Sequence, residues 1–248
     1  MTTISRAMDW LSTKVWLLLV PLAIPAFTPF LTEGLPRSFD GGTHLLRIGR
    51  LDEHLRSGAL FPRWIPELLL GNGYPVFNYY APSTYYLVEL FHLIGNDLYY
   101  AFILSFCTFV LVGAAGVYFL ALDIYNRPMV GRWAALLAAV AYLYSPYLMT
   151  NVYIRGAIAE VGALALLPWI FWSVRRLFYT AHPGRYVLPV ALSLGGLALT
   201  HNITLLFVPP VLIGYMIIHW QRSGRDRRRL RWALTSLLLA MGVSAFFW

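Results

Sequence analysis

Few side chains in this sequence are suited to chemistry, and they fall in three short stretches: Asp40 and His44 in "FDGGTH", Arg155 and Glu160 in "YIRGAIAE", and His201 in "LTHNIT". A carboxylate takes a proton or holds a cation, an arginine neutralises a phosphate, and a histidine gives or takes a proton near neutral pH. Each also has a plain structural use. Asp40 before two glycines fits a turn that caps a helix, Arg155 and Glu160 fit an ion pair closing a loop, and His201 fits a polar turn. A helix beginning just after Asp40 would hold its carboxylate ionised, which suits a metal ligand or electrostatic anchor better than a strong general base. The stretch "GALFPRWIPELLLGNGYPVFNYYAPSTYYL" adds Arg63, whose partner is a lipid phosphate or Glu67. It also adds Tyr79 and Tyr80, suited to stacking on sugar rings or to an interfacial aromatic belt.

Other chemistries lack their motifs. The sequence holds no His-x-x-x-His or Cys-x-x-Cys pair, no phosphate loop, no Gly-x-Ser-x-Gly elbow and no Gly-x-Gly-x-x-Gly turn, so ATP and nicotinamide chemistry are not expected. The single cysteine, Cys107, offers neither a disulfide nor a thiolate metal site. A net charge of +8 raises nucleic acid as a partner, but the arginines cluster in short loops between apolar runs, as membrane proteins arrange them.

The elements that must position these residues are membrane helices. The chain is 59% hydrophobic and 12% charged, about half the charge of a soluble domain. Continuous apolar windows at 100–122, 132–148 and 203–219 match the roughly 20 residues a helix needs to cross a bilayer. The fold class is therefore all-α, a polytopic helical membrane protein embedded in the lipid bilayer. Basic loops at 123–132, 175–185 and 220–231 are separated by pairs of apolar runs, which puts them on one side, cytoplasmic by the positive-inside rule; Arg6 and Lys14 put the N-terminus there too. Parity then gives seven spans, at about 15–31, 98–122, 132–148, 159–175, 186–200, 203–219 and 232–248. The first is kinked by Pro21, Pro25 and Pro29 and reads as a retained span rather than a cleaved leader.

Between the first two spans lies one outer loop, residues 32–97. Within it, 83–95 is too short to cross and reads as a surface or re-entrant helix, and 43–57 reads as an amphipathic surface helix with Leu45, Ile48, Leu51 and Leu55 on one face. On this map 13 of the 19 Lys and Arg lie inside and 8 of the 11 Asp and Glu outside. It also puts Asp40, Arg155, Glu160 and His201 on one face. The chain reads as a single transmembrane domain, 1–248, and, because "SAFFW" has no closing loop, as the N-terminal part of a longer protein of the bacterial plasma membrane.

The motifs "GALFPRW", "GNGYPVFNYYAP", "AYLYSPY" and "YIRGAIAE", following an outer-loop Asp, resemble the bacterial membrane family called 6-pyruvoyl-tetrahydropterin-synthase-related. Pterin synthases themselves are soluble and use a three-histidine zinc site, whereas the six histidines here are scattered. More distantly, the layout is similar to the GT-C superfamily of polyprenyl-phosphate-dependent glycosyltransferases. That resemblance implies an outer-face sugar transfer from a polyprenyl-phosphate donor. Asp40 would be the base or the ligand of a divalent cation such as Mg or Mn, Arg155 a phosphate contact, and 43–57 and 83–95 the paired surface helices. The Asp-Asp or Glu-x-Asp pair of many such enzymes is absent from the second outer loop, which leaves the metal open. Glu160 stands as a second carboxylate facing Asp40, with His201, His44, Arg63, Tyr79 and Tyr80 on the substrate side. The rival expectation is a non-catalytic membrane protein, a transporter or a subunit of an envelope assembly. A transporter would place ionisable groups at mid-membrane, and here they gather at one surface.

Overall fold

The computed structural model describes residues 14–125 and 130–247. Arg6 and Arg127, two of the arginines used in the topology, and Trp248 lie outside the described residues. Among those described, every named element is helical, and the one strand-like contact is an isolated antiparallel bridge between Ile65 and Tyr74.

We number nine helices: α1 Val15–Thr32, α2 Gly41–Arg56, α3 Ser83–Leu93, α4 Leu98–Tyr125, α5 Val130–Leu143, α6 Ile158–Tyr179, α7 Val187–Ala198, α8 Asn202–Arg222 and α9 Arg227–Ser244. After α5 the chain breaks at Ser145, ahead of Pro146, and continues through a short helical turn into a π-helical segment, Thr150–Arg155. A residue before proline is pushed out of the helical region, and Ser145 is extended here (ψ 125°).

Among the described residues five units are long and apolar enough to cross a membrane: Val15–Thr32, Leu98–Tyr125, Val130–Arg155, Ile158–Tyr179 and Asn202–Arg222. The seven expected spans are not all of this kind. Helix α7 has 12 residues, about 18 Å against a hydrocarbon core of about 30 Å. Helix α9 opens on Arg227, Arg228, Arg229 and Arg231, too much charge for a lipid-facing span. Both still join the same two ends of the bundle. Gly184, just before α7, lies against Trp232 of α9, while at the other end Leu199 accepts from the Ser83 N–H and Phe246 accepts from Arg63.

Small residues let the spans approach. On α4, Gly113 meets the Tyr142 ring and Gly116 meets Trp169 and Pro168, where an added Cβ would lie 2.1 and 2.8 Å from side-chain atoms. Trp169 also donates to the Val112 carbonyl at 2.9 Å. Pro25 and Pro29 lie inside α1, and tyrosines following from α5 donate to carbonyls beside them, Tyr144 to Leu22 and Tyr153 to Ala26. At the end of α4 away from Asp40, Asp123 pairs with Arg175 (2.8 Å) and Arg176 (3.0 Å) of α6. That contact agrees with the loop parity, which placed both on one side.

The amphipathic stretch forms α2, with His44, Ile48 and Leu51 buried and Leu45 and Leu55 half-buried. Helix α3 runs parallel to it and buries Thr84, Tyr85, Val88 and Glu89. The seam carries polar rungs: His44 Nδ1 to the Tyr85 hydroxyl at 2.7 Å near the start, and Arg56 to His92 at 3.4 Å near the end. Between them Glu89 is 2% exposed and its oxygens have no donor. Burial and the adjacent Asp52 carboxylate hold its acid well above the usual range, with His92 and Arg56 opposing them. The folded seam thus prefers Glu89 protonated.

Two expectations follow. Helix α3 should leave both its ends on one side of the membrane: with Cys107 replaced, Leu60→Cys and Ile94→Cys should react alike with a membrane-impermeant maleimide, and labelling from opposite sides would refute it. A raised acid gives stability that is present below its unfolded value and lost as pH rises through its folded value. Hydrogen exchange, corrected for intrinsic rate, should therefore show α2 and α3 loosening as pH rises above the ordinary carboxylate range, and Glu89→Gln should flatten that dependence and stabilise the seam at neutral pH by about 1–3 kcal/mol.

Candidate functional site

Two backbone hydrogen bonds build the site. The Phe39 N–H donates to the Ile154 carbonyl (3.1 Å) and the Asp40 N–H to the Arg155 carbonyl (2.8 Å), so the start of α2 is laid against the π-helical segment. π-Helical turns leave carbonyls out of the regular ladder and recur at functional sites. The approach is close because residue 156 is glycine. Gly156 takes a left-handed conformation (φ +66°), and a Cβ there would lie 2.3 Å from Ser38 Oγ and 2.9 Å from the Gly41 nitrogen.

Asp40 is the N-cap of α2, but its side chain makes no capping hydrogen bond. Capping residues usually have extended backbone, which aims the side chain back at the first turn. Asp40 is instead near-helical (φ −105°, ψ −19°), so its carboxylate is turned away from that use. It is half-buried, and its charge is felt by His44, Tyr80, Tyr85 and Arg155.

Glu160, in the first turn of α6, is held by three donors: the Tyr147 hydroxyl, Arg155 Nη1 at 2.6 Å and Asn151 Nδ2 at 3.5 Å. Arg155 Nη1 also donates to Asn151 Oδ1 at 2.6 Å, and Asn151 is fully buried. The loop-closing ion pair is therefore formed, and it fixes where Arg155 lies. His201 caps α8, with Nδ1 2.7 Å from the Thr204 hydroxyl and accepting from the Thr204 N–H (3.4 Å). Burial lowers its basicity, and Glu160 and Arg155 act on it in opposite senses.

His44 is buried, and burial with the nearby Arg47 pushes its pKa down to about 4, Asp40 opposing. Arg47 also donates to the Tyr85 oxygen at 3.4 Å, which frees the Tyr85 proton for His44 Nδ1. The imidazole is neutral and serves as a strut. Tyr80 lies with its ring under the Arg47 guanidinium, 4.6 Å from the centroid. The turn at 199–202 pins this region: Ser83 Oγ meets Thr200 Oγ1 at 2.8 Å, and Asn202 donates to the Tyr79 carbonyl at 2.7 Å.

The structure thus gathers Asp40, His44, Tyr80, Arg155, Glu160 and His201 at one end of the bundle. Arg63 stands elsewhere. It donates to Asn78 (3.1 Å) and to the Phe246 carbonyl (2.5 Å) rather than pairing with Glu67, which is taken by His54 at 3.2 Å. Tyr79 is exposed, and it touches the cluster through its carbonyl. Arg47, Tyr147 and Asn151 were not singled out in the sequence; "SPYLMTNVYIRG" carried a signal in the polar residues crowding the end of an apolar span. Among the described residues no group of three His, Cys, Asp or Glu is placed to hold a metal ion. Asp40 therefore has no pair of such ligands beside it to complete a divalent-cation site.

Residues 77–248 match the family described as "6-pyruvoyl-tetrahydropterin synthase related domain; membrane protein". The chain is 23% identical over 245 residues to an uncharacterized protein of Lactococcus lactis subsp. cremoris (strain MG1363), covering 94% of this chain and 38% of that relative. It therefore spans well under half the relative's length. No solved structure matches.

Gly156 should tolerate no side chain. Gly156→Ala adds strain at a left-handed residue and a clash with the Gly41 backbone, costing about 1–3 kcal/mol. The amides of Phe39 and Asp40 should then exchange at least about tenfold faster. Adding Ser38→Ala should not restore protection, since the Gly41 contact and the backbone strain remain.

Proposed function

The chain belongs to the 6-pyruvoyl-tetrahydropterin synthase related family of membrane proteins, and we propose that its Asp40 end is a site for moving a sugar from a polyprenyl-phosphate carrier. On this reading the Asp40 end faces the outside of the bacterial plasma membrane and the N-terminus is cytoplasmic. The carrier's tail stays in the bilayer, its phosphate lies at the interface, and the acceptor arrives from the aqueous side.

Breaking the anomeric C–O bond leaves negative charge on the departing phosphate, which needs cationic donors at the depth of the headgroups. Arg155 supplies one. Its Nη1 is committed to Asn151 and Glu160, and the remaining guanidinium nitrogens are available to the phosphate. A carboxylate then takes the acceptor hydroxyl's proton as the new bond forms. Asp40 is given this role and Glu160 is not, because Glu160 is already held by Tyr147, Arg155 and Asn151. Glu160 is a positioning residue that fixes Arg155. His201 is placed to steady the same phosphate, and the exposed Tyr79 to meet the sugar.

The observation that carries the reading is the use of Asp40. It stands at a helix start, docked by its own backbone on Arg155, with its carboxylate not spent on capping. In the intact protein, Asp40→Asn should lower transfer from synthetic polyprenyl-phosphate sugars to membrane acceptors by about a hundredfold or more, with thermal stability unchanged. Asparagine caps as well as aspartate, so a structural role predicts no effect. Unchanged turnover would remove Asp40 from the chemistry and return the site to the non-catalytic reading, a transporter or envelope-assembly subunit.

A further inference from the structure

Among the described residues Arg47 is a half-buried cation of this region that no carboxylate neutralises; Arg37 also has no ion pair but is exposed. Arg50, Arg56 and Arg155 each lie within 2.6 Å of an acidic oxygen, Arg175 and Arg176 share Asp123, and Arg63 is bonded to Asn78 and a main-chain carbonyl. Arg47 has only the Tyr80 ring beneath it and the Tyr85 hydroxyl at 3.4 Å. Among the described residues no ion pair reaches it. It is half-buried, and its neighbour His44 is buried and neutral, so nothing on its own helix competes for an anion. An arginine held flat on an aromatic face has its planar fork fixed before a ligand arrives, which lowers the entropy lost on binding.

The second cation is close by. The Tyr80 hydroxyl lies in the field of both Arg47 and Arg155, with Asp40 on the same side. Arg155 is fixed by Asn151 and Glu160, so its charge is half neutralised while Arg47's is whole.

We propose that Arg47, stacked on Tyr80, is the principal ligand of a phosphate seat at the membrane surface. The ligand class is a phosphate mono- or diester, and the phenol of Tyr80 donates to it. This rests on the carrier reading above for its lipid source, but the seat itself needs only the phosphate. Arg63, named with the substrate contacts on sequence grounds, is not part of it.

Binding can be measured without any transfer reaction. The intact protein would be placed in nanodiscs of neutral phosphatidylcholine with a small fraction of undecaprenyl phosphate or, as control, undecaprenol. Retention of each after purification would be read by native mass spectrometry. The phosphate should be retained and the alcohol not. Arg47→Gln should lower retention by about tenfold or more, Tyr80→Phe by less, and Arg63→Gln not at all. Arg47→Lys keeps the charge without the planar fork and should fall between, which also covers failure of the glutamine variant to fold. Displacement of the lipid by millimolar inorganic phosphate, dependent on Arg47, would assign the seat to a soluble phosphate ester. Equal retention of phosphate and alcohol, or loss in Arg63→Gln matching that in Arg47→Gln, would overturn the seat. A protein that retains the lipid through Arg47 yet transfers no sugar would sink the transfer reading alone.

Discussion

The site depends on one backbone contact, the hydrogen bonds from Phe39 and Asp40 to the carbonyls of Ile154 and Arg155. Side chains alone would not hold two such distant segments at fixed separation, because long charged side chains lose entropy for each bond they make. A main-chain bond has no such slack. It is available because the π-helical segment leaves carbonyls unclaimed by its own ladder and because Gly156 lets the chains meet. Once α2 is laid there, the placement of His44 and Arg47 follows from the helix's own geometry, and Tyr80 meets Arg47 from the segment before α3.

The charges around this contact are unequal in freedom, and that decides their roles. Arg155 and Glu160 are bonded to each other and to Asn151, so each is worth little as a free charge and much as a fixed one. Such a network is satisfied, and removing one member would strand the others. Asp40 and Arg47 are the opposite case, each without a side-chain ion partner. His44 between them is kept neutral by burial and passes its constraint to Tyr85. The result is a rigid frame beside which Asp40 and Arg47 keep their charges unpaired, the disposition a site needs if charge is to be met without rearrangement.

Much of this was legible in the sequence. Apolar runs and arginine loops placed the starts of the five long apolar units to within two residues and put Asp123 with Arg175 and Arg176 on one side, as their ion pairs require. The period of α2 was readable from Ile48 and Leu51, but burial of His44 was not, since it depends on Tyr85, 41 residues away. The π-helical turn was also out of reach. It arises from Pro146 breaking the span and from Gly156 accepting a left-handed backbone, and neither residue announces a partner. Arg63 misled for a related reason: a basic residue beside "FP" reads as a headgroup contact until the far end of the chain, at Phe246, is folded back onto it.

The position of these charges along the membrane normal also has a cost that constrains function. An ionisable group at mid-bilayer costs at least about 2.5 kcal/mol, and less as it nears the headgroups. Here the spans' interiors are left to glycine, alanine and aromatic packing, and the charges sit where the helices end. Even Glu89, buried with no donor, is tolerable because it lies in a surface helix where a proton can be taken up to neutralise it. A molecule built this way keeps its ion pairs at the two ends of the bundle, Arg155 with Glu160 at one and Asp123 with Arg175 and Arg176 at the other, and leaves the span interiors apolar.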